Sequence, residues 1–309
     1  MKNCIAVLCC LSGLMACDSL KQEVNPALIN AEAEKIVVAC FIAPQDTVLT
    51  AEVSLSKPVL GENTGYDKRV NNATITLSDG VRSIVFDRRD GQYQGQYYYG
   101  ADPKKFPIVA GQRYTLTVQI PDGRKVEAVC TVPKAVVPRA VVLDSIPTFE
   151  NGFSGKDYFV RLKWQDPAGE ENFYRVAGVY NYLPLQSTYP NAPTPNWVRN
   201  LIDYRPNGDD RDLVDDRQRD GEILNSPRGF LRFYGFSQQT LFERVQRLNC
   251  VIDLLHVDAN YYQYQEAVLR QTQTGDNPFA EPVLVPTNIQ GGLGCFGAYN
   301  RSTITAVLK

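Results

Sequence analysis

The chain has 309 residues, with 32 Lys and Arg against 34 Asp and Glu and a formal net charge of −2. No block of basic residues stands out, so nucleic acid is not an expected partner. The length allows two ordinary domains, and 17 Tyr among many Val and Thr in short alternating runs favour β-structure.

The N-terminus comes first. Lys2 precedes an apolar run from Ile5 to Met15, the layout of a secretory signal peptide. The run is too short for a permanent transmembrane helix, which needs roughly 20 apolar residues. Leu14-Met15-Ala16-Cys17 then reads as a bacterial lipobox, in which the thiol receives a diacylglycerol, the signal is removed and the new amine is acylated. Several acyl chains on one residue hold stably, at about 0.8 kcal/mol per buried methylene. The expected anatomy is a signal over residues 1–16 and a polar, lipidated tether over 17–34. No second long apolar stretch follows, so the lipid on Cys17 is the expected membrane anchor.

Residues 35–134 alternate with a period of two. Ile36, Val38, Cys40 and Ile42 share one face; so do Leu49, Ala51 and Val53, then Ala73, Ile75 and Leu77. Tyr114, Leu116, Val118 and Ile120 follow, then Val126, Ala128, Cys130 and Val132. That is the pattern of half-buried strands. Asp79-Gly80, Asp90-Gly91 and Asp122-Gly123 between the runs suit tight hairpins, because both residue types tolerate positive φ. The predicted fold is mainly β, beginning with an immunoglobulin- or transthyretin-like sandwich. Three prolines over residues 133–147 suggest a linker.

The second domain, residues 140–309, is predicted to be β-rich with one helix and a long insert. Tyr158, Val160, Leu162 and Trp164 alternate, Phe230 opens an aromatic, strand-like run, and Leu248, Cys250, Ile252, Leu254 and His256 share a face. Asp258 is placed to N-cap a helix with Tyr261, Tyr264, Val268 and Leu269 on one side. Residues 295–299 and 303–308 suggest two closing strands. The proline-rich insert over residues 183–229 is the expected carrier of binding specificity. Its Tyr189, Trp197 and Tyr204 are candidate binding aromatics, for a sugar or a protein, or else pins holding the insert to its own domain.

Four cysteines remain after the anchor: Cys40, Cys130, Cys250 and Cys295. Export permits disulfides, and proximity favours Cys40–Cys130 and Cys250–Cys295; the alternative is buried thiols packed as small hydrophobes. Gly292-x-Gly294-x-x-Gly297 spells a dinucleotide fingerprint but precedes a strand instead of a helix, so it reads as a turn that permits close packing. The carboxylates from Asp209 to Asp220 could suit calcium, yet the interleaved Arg211, Arg217 and Arg219 favour a charged loop. His256 is the only histidine, aligned with core residues and therefore a packed side chain more than a base. No pair of carboxylates is marked for glycoside cleavage. No cofactor, metal site or catalytic residue is expected.

Several stretches carry a family resemblance: Lys35-Ile-Val-Val-Ala-Cys-Phe-Ile, Val70-Asn-Asn-Ala-Thr-Ile-Thr-Leu-Ser-Asp-Gly, Gly111-Gln-Arg-Tyr-Thr-Leu-Thr-Val, Asn277-Pro-Phe-Ala-Glu-Pro and Asn288-Ile-Gln-Gly-Gly-Leu-Gly-Cys-Phe-Gly-Ala-Tyr. Together they resemble the lipoproteins grouped as domain of unknown function 4249. The resemblance implies an outer-membrane lipoprotein whose partner is a TonB-dependent transporter, and no established activity. The leading expectation is a non-enzymatic accessory lipoprotein that binds the transporter or its cargo, on either face of that membrane. A glycan-binding surface protein and a carboxylate-based hydrolase are the alternatives.

Overall fold

The alternating runs become strands whose apolar faces meet. The computed structural model describes residues 34–57, 68–91, 97–150, 153–185, 196–204, 211–232, 244–274 and 283–309. In the first half these form β1 (Ile36–Ile42), β2 (Leu49–Leu55), β3 (Thr74–Ser78), β4 (Ser83–Val85), β5 (Asp87–Asp90), β6 (Tyr97–Ala101), β7 (Arg113–Gln119) and β8 (Lys125–Thr131). A sheet ordered β4-β3-β7-β8 packs on β1, β2 and β6. Ile36, Val38 and Cys40 from one side meet Ile75, Leu116 and Cys130 from the other, all essentially inaccessible to water. Gly80 and Gly123 take φ of +90° in the turns of their hairpins, as the Asp-Gly pairs require.

The second half contributes β9 (Pro138–Glu150), β10 (Phe153–Gln165), β11 (Phe173–Pro184), β12 (Val198–Leu201), β13 (Leu213–Asp215), β14 (Ile223–Asn225), β15 (Gly229–Phe230), β16 (Val245–Val257), helix α1 (Ala259–Thr274) and β17 (Leu293–Val307). A small sheet pairs β10 with β9 along one edge and with β14 and β15 along the other. It covers β11 and β16 through a core that includes Val160, Leu162, Trp164, Tyr174, Cys250, Ile252 and Leu254. The supposed linker is therefore a correction: residues 138–150 are a long strand. Its prolines fit because β9 is an edge strand, where a missing N–H breaks no ladder bond. The Asp144 carboxylate takes the Ser145 N–H (2.7 Å), which blunts the same edge further.

The two expected closing strands are one. Leu293 to Ala298 pairs parallel with β1, and Tyr299 to Val307 pairs antiparallel with β16. One sheet, β12-β11-β16-β17-β1-β2-β6-β5, thus runs through both sandwiches. Phe296 and Ala298 are buried in the first core, so a partition at residues 134–140 does not hold: the C-terminal strand completes the N-terminal sandwich.

The three glycines of the fingerprint make this close approach. A Cβ on Gly292 would lie 2.6 Å from the Ile36 carbonyl oxygen, and one on Gly294 only 2.0 Å from that of Val38. On Gly297 it would meet Tyr261 and Phe41 at 3.0 and 3.2 Å. Asn288 holds the strand from the side: its Nδ2 donates to the carbonyls of Phe296 (2.7 Å) and Val129 (3.1 Å), and its Oδ1 accepts from the Phe296 N–H (3.0 Å).

Helix α1 lies over the opposite face of the sheet. Tyr261 and Tyr262 are buried against Phe173 and Val257, with Phe41, Leu269 and Tyr299 beside them. Its cap is Asp258, whose Oδ1 accepts from the Tyr261 N–H (2.7 Å). The same carboxylate accepts from the Ala298 N–H (3.0 Å), and the Asp258 N–H returns a bond to the Ala298 carbonyl (2.9 Å). Cap and strand junction therefore share one side chain. Burial pushes the Asp258 carboxyl up to about 7, against the backbone N–H groups that pull it down.

All four core cysteines are free and buried, so the expected pairings are corrected. Cys250 pairs in register with Ala306, eleven residues beyond Cys295 on the same strand, or roughly 36 Å at ~3.3 Å per residue. A disulfide needs Cα atoms within roughly 7 Å. Cys40 and Cys130 do share the first core, as thiols packed among apolar neighbours.

Two measurements probe this arrangement. Gly294, at φ +102°, is confined both by its backbone and by β1, whereas Gly123, at +90°, has open space around it. By urea unfolding, Gly123→Ala is expected to cost roughly 1–2 kcal/mol and Gly294→Ala at least about 3 kcal/mol, or the fold itself. For Asp258, the unfolded pKa is about 3.9. The folded state therefore binds the proton more tightly, so this group's contribution is full below about pH 4 and is lost as pH rises through 7. Urea midpoints measured from pH 4 to 7 are expected to fall, and Asp258→Asn, which still caps, is expected to flatten the fall. Asp46 and Asp216, raised in the same direction by burial, leave a residual slope.

Candidate functional site

The insert leaves β11 and returns to it twice. Its β12 pairs with Val179–Tyr182 of β11, and β13 pairs with Phe173–Arg175 on the same edge. Between these short ladders the edge of β11 is bridged by two single bonds, Ile202 N–H to Gly178 O (2.9 Å) and Val176 N–H to Asp212 O (2.9 Å). A cavity of about 660 Å³ opens in this gap. Val176, Gly178 and Ile202 supply apolar wall, and Arg199, Asp203 and Arg232 supply charge. Arg232 Nε lies 3.7 Å from Asp203 Oδ2, while Arg199 is exposed with no partner among the described residues. Leu201, which also lines the cavity, is 77 % exposed. A guanidinium beside apolar surface suits a ligand with one anionic group and an apolar body.

The insert's aromatics separate. Trp197 is half exposed just before β12. Tyr204 is buried in the second core, which corrects its reading as a binding aromatic. It is the pin, and a Cβ on Gly229 would strike it at 2.6 Å and Ile202 at 2.4 Å. Tyr189 lies outside the described residues, as does Cys17. Neither Arg199 nor Arg232 stands out in the sequence, because nothing in the spacing shows that β12 and residue 232 meet.

The acidic segment is only partly the solvated loop expected. Asp209 and Asp210 lie outside the described residues, while Asp212 and Asp216 are buried. Asp212 Oδ2 accepts from Arg175 (2.9 Å), whose Nη1 also donates to the Tyr261 hydroxyl (2.9 Å) and so ties α1 to the sheet. Asp216 and Asp220 come within 4.8 Å of Asp166, a residue far away in sequence. Each of the three is already engaged. Asp166 accepts from the Tyr174 hydroxyl (2.6 Å) and the Gly221 N–H (2.9 Å), Asp216 from the Asn172 N–H (3.0 Å), and Asp220 from the Gly169 N–H (2.9 Å). The group works as a clasp closing the turn onto β10 and β11. Burial, then the neighbouring Asp166 carboxylate, pushes the Asp216 carboxyl up.

His256 is a packed strand-end residue. Its Nδ1–H donates to the Lys134 carbonyl (2.7 Å), and its ring stacks on Tyr174 at 5.1 Å. Burial pushes its pKa down. The buried thiols are likewise pushed up, Cys250 to about 11, away from the range of a nucleophile.

The two tyrosine and tryptophan positions give a direct check. The Tyr204 hydroxyl is sealed from water and has no hydrogen-bond partner among the described residues. Tyr204→Phe is expected to raise stability by about 1 kcal/mol, because it removes an unsatisfied polar atom. Trp197→Ala is expected to stay within roughly 0.5 kcal/mol of the parent. Thermal and urea unfolding of both variants measure this.

No curated protein matches the chain. Among solved structures it is similar to the partial N-terminal region of an enterococcal surface protein, at 9 % identity and a TM-score of 0.15, over 76 % of this chain and 93 % of that one. That score is too low to bear on the architecture. Over residues 21–305 the chain matches the family described as Domain of unknown function (DUF4249), and it belongs to that family.

Proposed function

We propose that this is a lipid-anchored accessory protein of the outer membrane, which binds a TonB-dependent transporter or its cargo and catalyses no reaction. The observation that carries the reading is Leu14-Met15-Ala16-Cys17, followed by a polar segment that reaches the first strand at Ile36. Acylation at Cys17 would confine a double sandwich to the membrane surface, where a modest affinity suffices because the effective concentration is high. The cavity beside β11 supplies a place for cargo, with Arg199 at its rim. The packing of His256 and the burial of the thiols favour binding over chemistry. The half-exposed Trp197 supports a second reading, a glycan-binding surface.

Two measurements test the proposal together. Mass spectrometry of the mature N-terminus is expected to show acylated Cys17, and purification in mild detergent to bring down an outer-membrane transporter. An unmodified sulfur would remove the anchor, and purification without a transporter would remove the partner. Cys17→Ser is expected to release the protein from the membrane fraction.

A further inference from the structure

The small sheet of the second sandwich has an outer face that the core does not use. Along β10, Val160, Leu162 and Trp164 point inward, so Phe159, Arg161 and Lys163 point out. Phe159 stands opposite Phe230 of β15, with ring centroids 5.7 Å apart. Although it lies on the outer face, Phe159 is only 3 % exposed. The guanidinium carbons of Arg161 and Arg228 sit 5.6 and 5.0 Å from its ring centroid, and Arg232 sits 5.4 Å from that of Phe230. Arg161 Nε is buried here and has no acceptor among the described residues.

Three of these four cations are uncompensated among the described residues. Arg161, Lys163 and Arg228 make no ion pair or hydrogen bond with the described residues. Asp144 stands across from Phe159, but its carboxylate takes the Ser145 N–H, and Asp203 serves Arg232. Asp157 lies further along, toward the hairpin tip. Beside the cations, Val142, opposite Arg161, and Ile223, opposite Gln165, are exposed.

We propose that this face docks an acidic, partly apolar segment of a partner protein. Guanidiniums held over aromatic rings lose little freedom on binding, and their planar forks match carboxylates. Val142 and Ile223 offer contact to apolar side chains between the acids. A sugar is disfavoured, because the Phe159 ring it would stack on is covered. An anionic lipid surface is disfavoured too: with Arg232 paired to Asp203, three unpaired cations remain among the described residues, fewer than the roughly four to eight basic residues such patches use. The inference rests on the partner-binding proposal and deepens it by giving it a surface, and the peptide arm of its test needs neither the transporter nor the anchor.

The test uses the full chain in detergent and an immobilised synthetic peptide of alternating Glu and Leu. Binding is expected at low ionic strength and to weaken as salt rises. The double variant Arg161→Gln/Arg228→Gln is expected to bind at least tenfold more weakly. Lys104→Gln, at an exposed cation of the first sandwich, is expected to bind like the parent. If the double variant fails to fold, Arg161→Lys/Arg228→Lys keeps the charge and loses the forks, and a loss of about threefold is expected. Unchanged binding by a folded double variant overturns the proposal. So does tighter binding of the parent to a sulfated glycan or to phosphatidylglycerol vesicles than to the peptide. A transporter still retained by the double variant would sink this face while leaving the anchored-accessory reading intact.

Discussion

The backbone N–H and C=O groups of β17 must find partners, and they find them in two different sandwiches. Its first part bonds to β1 and its second to β16. That single requirement joins the halves into one sheet, and most of the special residues near the C-terminus serve it. Glycines let two backbones approach where a Cβ would collide with a carbonyl. Asn288 saturates the groups beside Phe296, and Asp258 saturates those at Ala298 while capping α1. Asn300, almost fully buried, completes the seam by donating to the Pro133 carbonyl and accepting from Gln45. The glycine-rich segment before and within β17 is thus a piece of architecture, with no ligand chemistry required to explain it.

Such a joint restrains how the two sandwiches move. Hinge bending between domains needs a connection that few bonds cross. Here a continuous strand crosses, with a helix laid over it: Tyr261 meets Phe41 at 5.0 Å and Tyr299 at 6.1 Å. A rigid body of this kind presents its surfaces at fixed relative positions. The cavity at the gap in the β11 edge and the arginine face of the small sheet lie close together, since Arg232 contributes to the first and packs on Phe230 at the border of the second.

Much of the fold was legible in the residues. The period-two runs placed the strands of the first core, the Asp-Gly pairs placed two hairpins, and Asp258 placed the start of α1, because each depends on neighbours a few residues apart. The fingerprint glycines are legible as packing devices, since a following strand cannot cradle a phosphate. The readings that failed concern distant partners. Pro138 and Pro147 looked like a linker until β9 proved to be an edge strand, and Cys250 and Cys295 looked adjacent until one strand set them far apart. Tyr204 looked like a surface aromatic, and only the absence of a side chain at Gly229 shows why it fits inside.

Local pattern by itself determined the β-rich class and the cap of the helix, because alternation and capping are properties of contiguous chain. Tertiary structure alone decided that the last strand serves both cores, that Asp166 joins Asp216 and Asp220, and that Arg161 and Arg228 share one ring. Those are meetings of residues separated by long stretches of chain, and only closure of the sheets, with every buried backbone group paired, selects them.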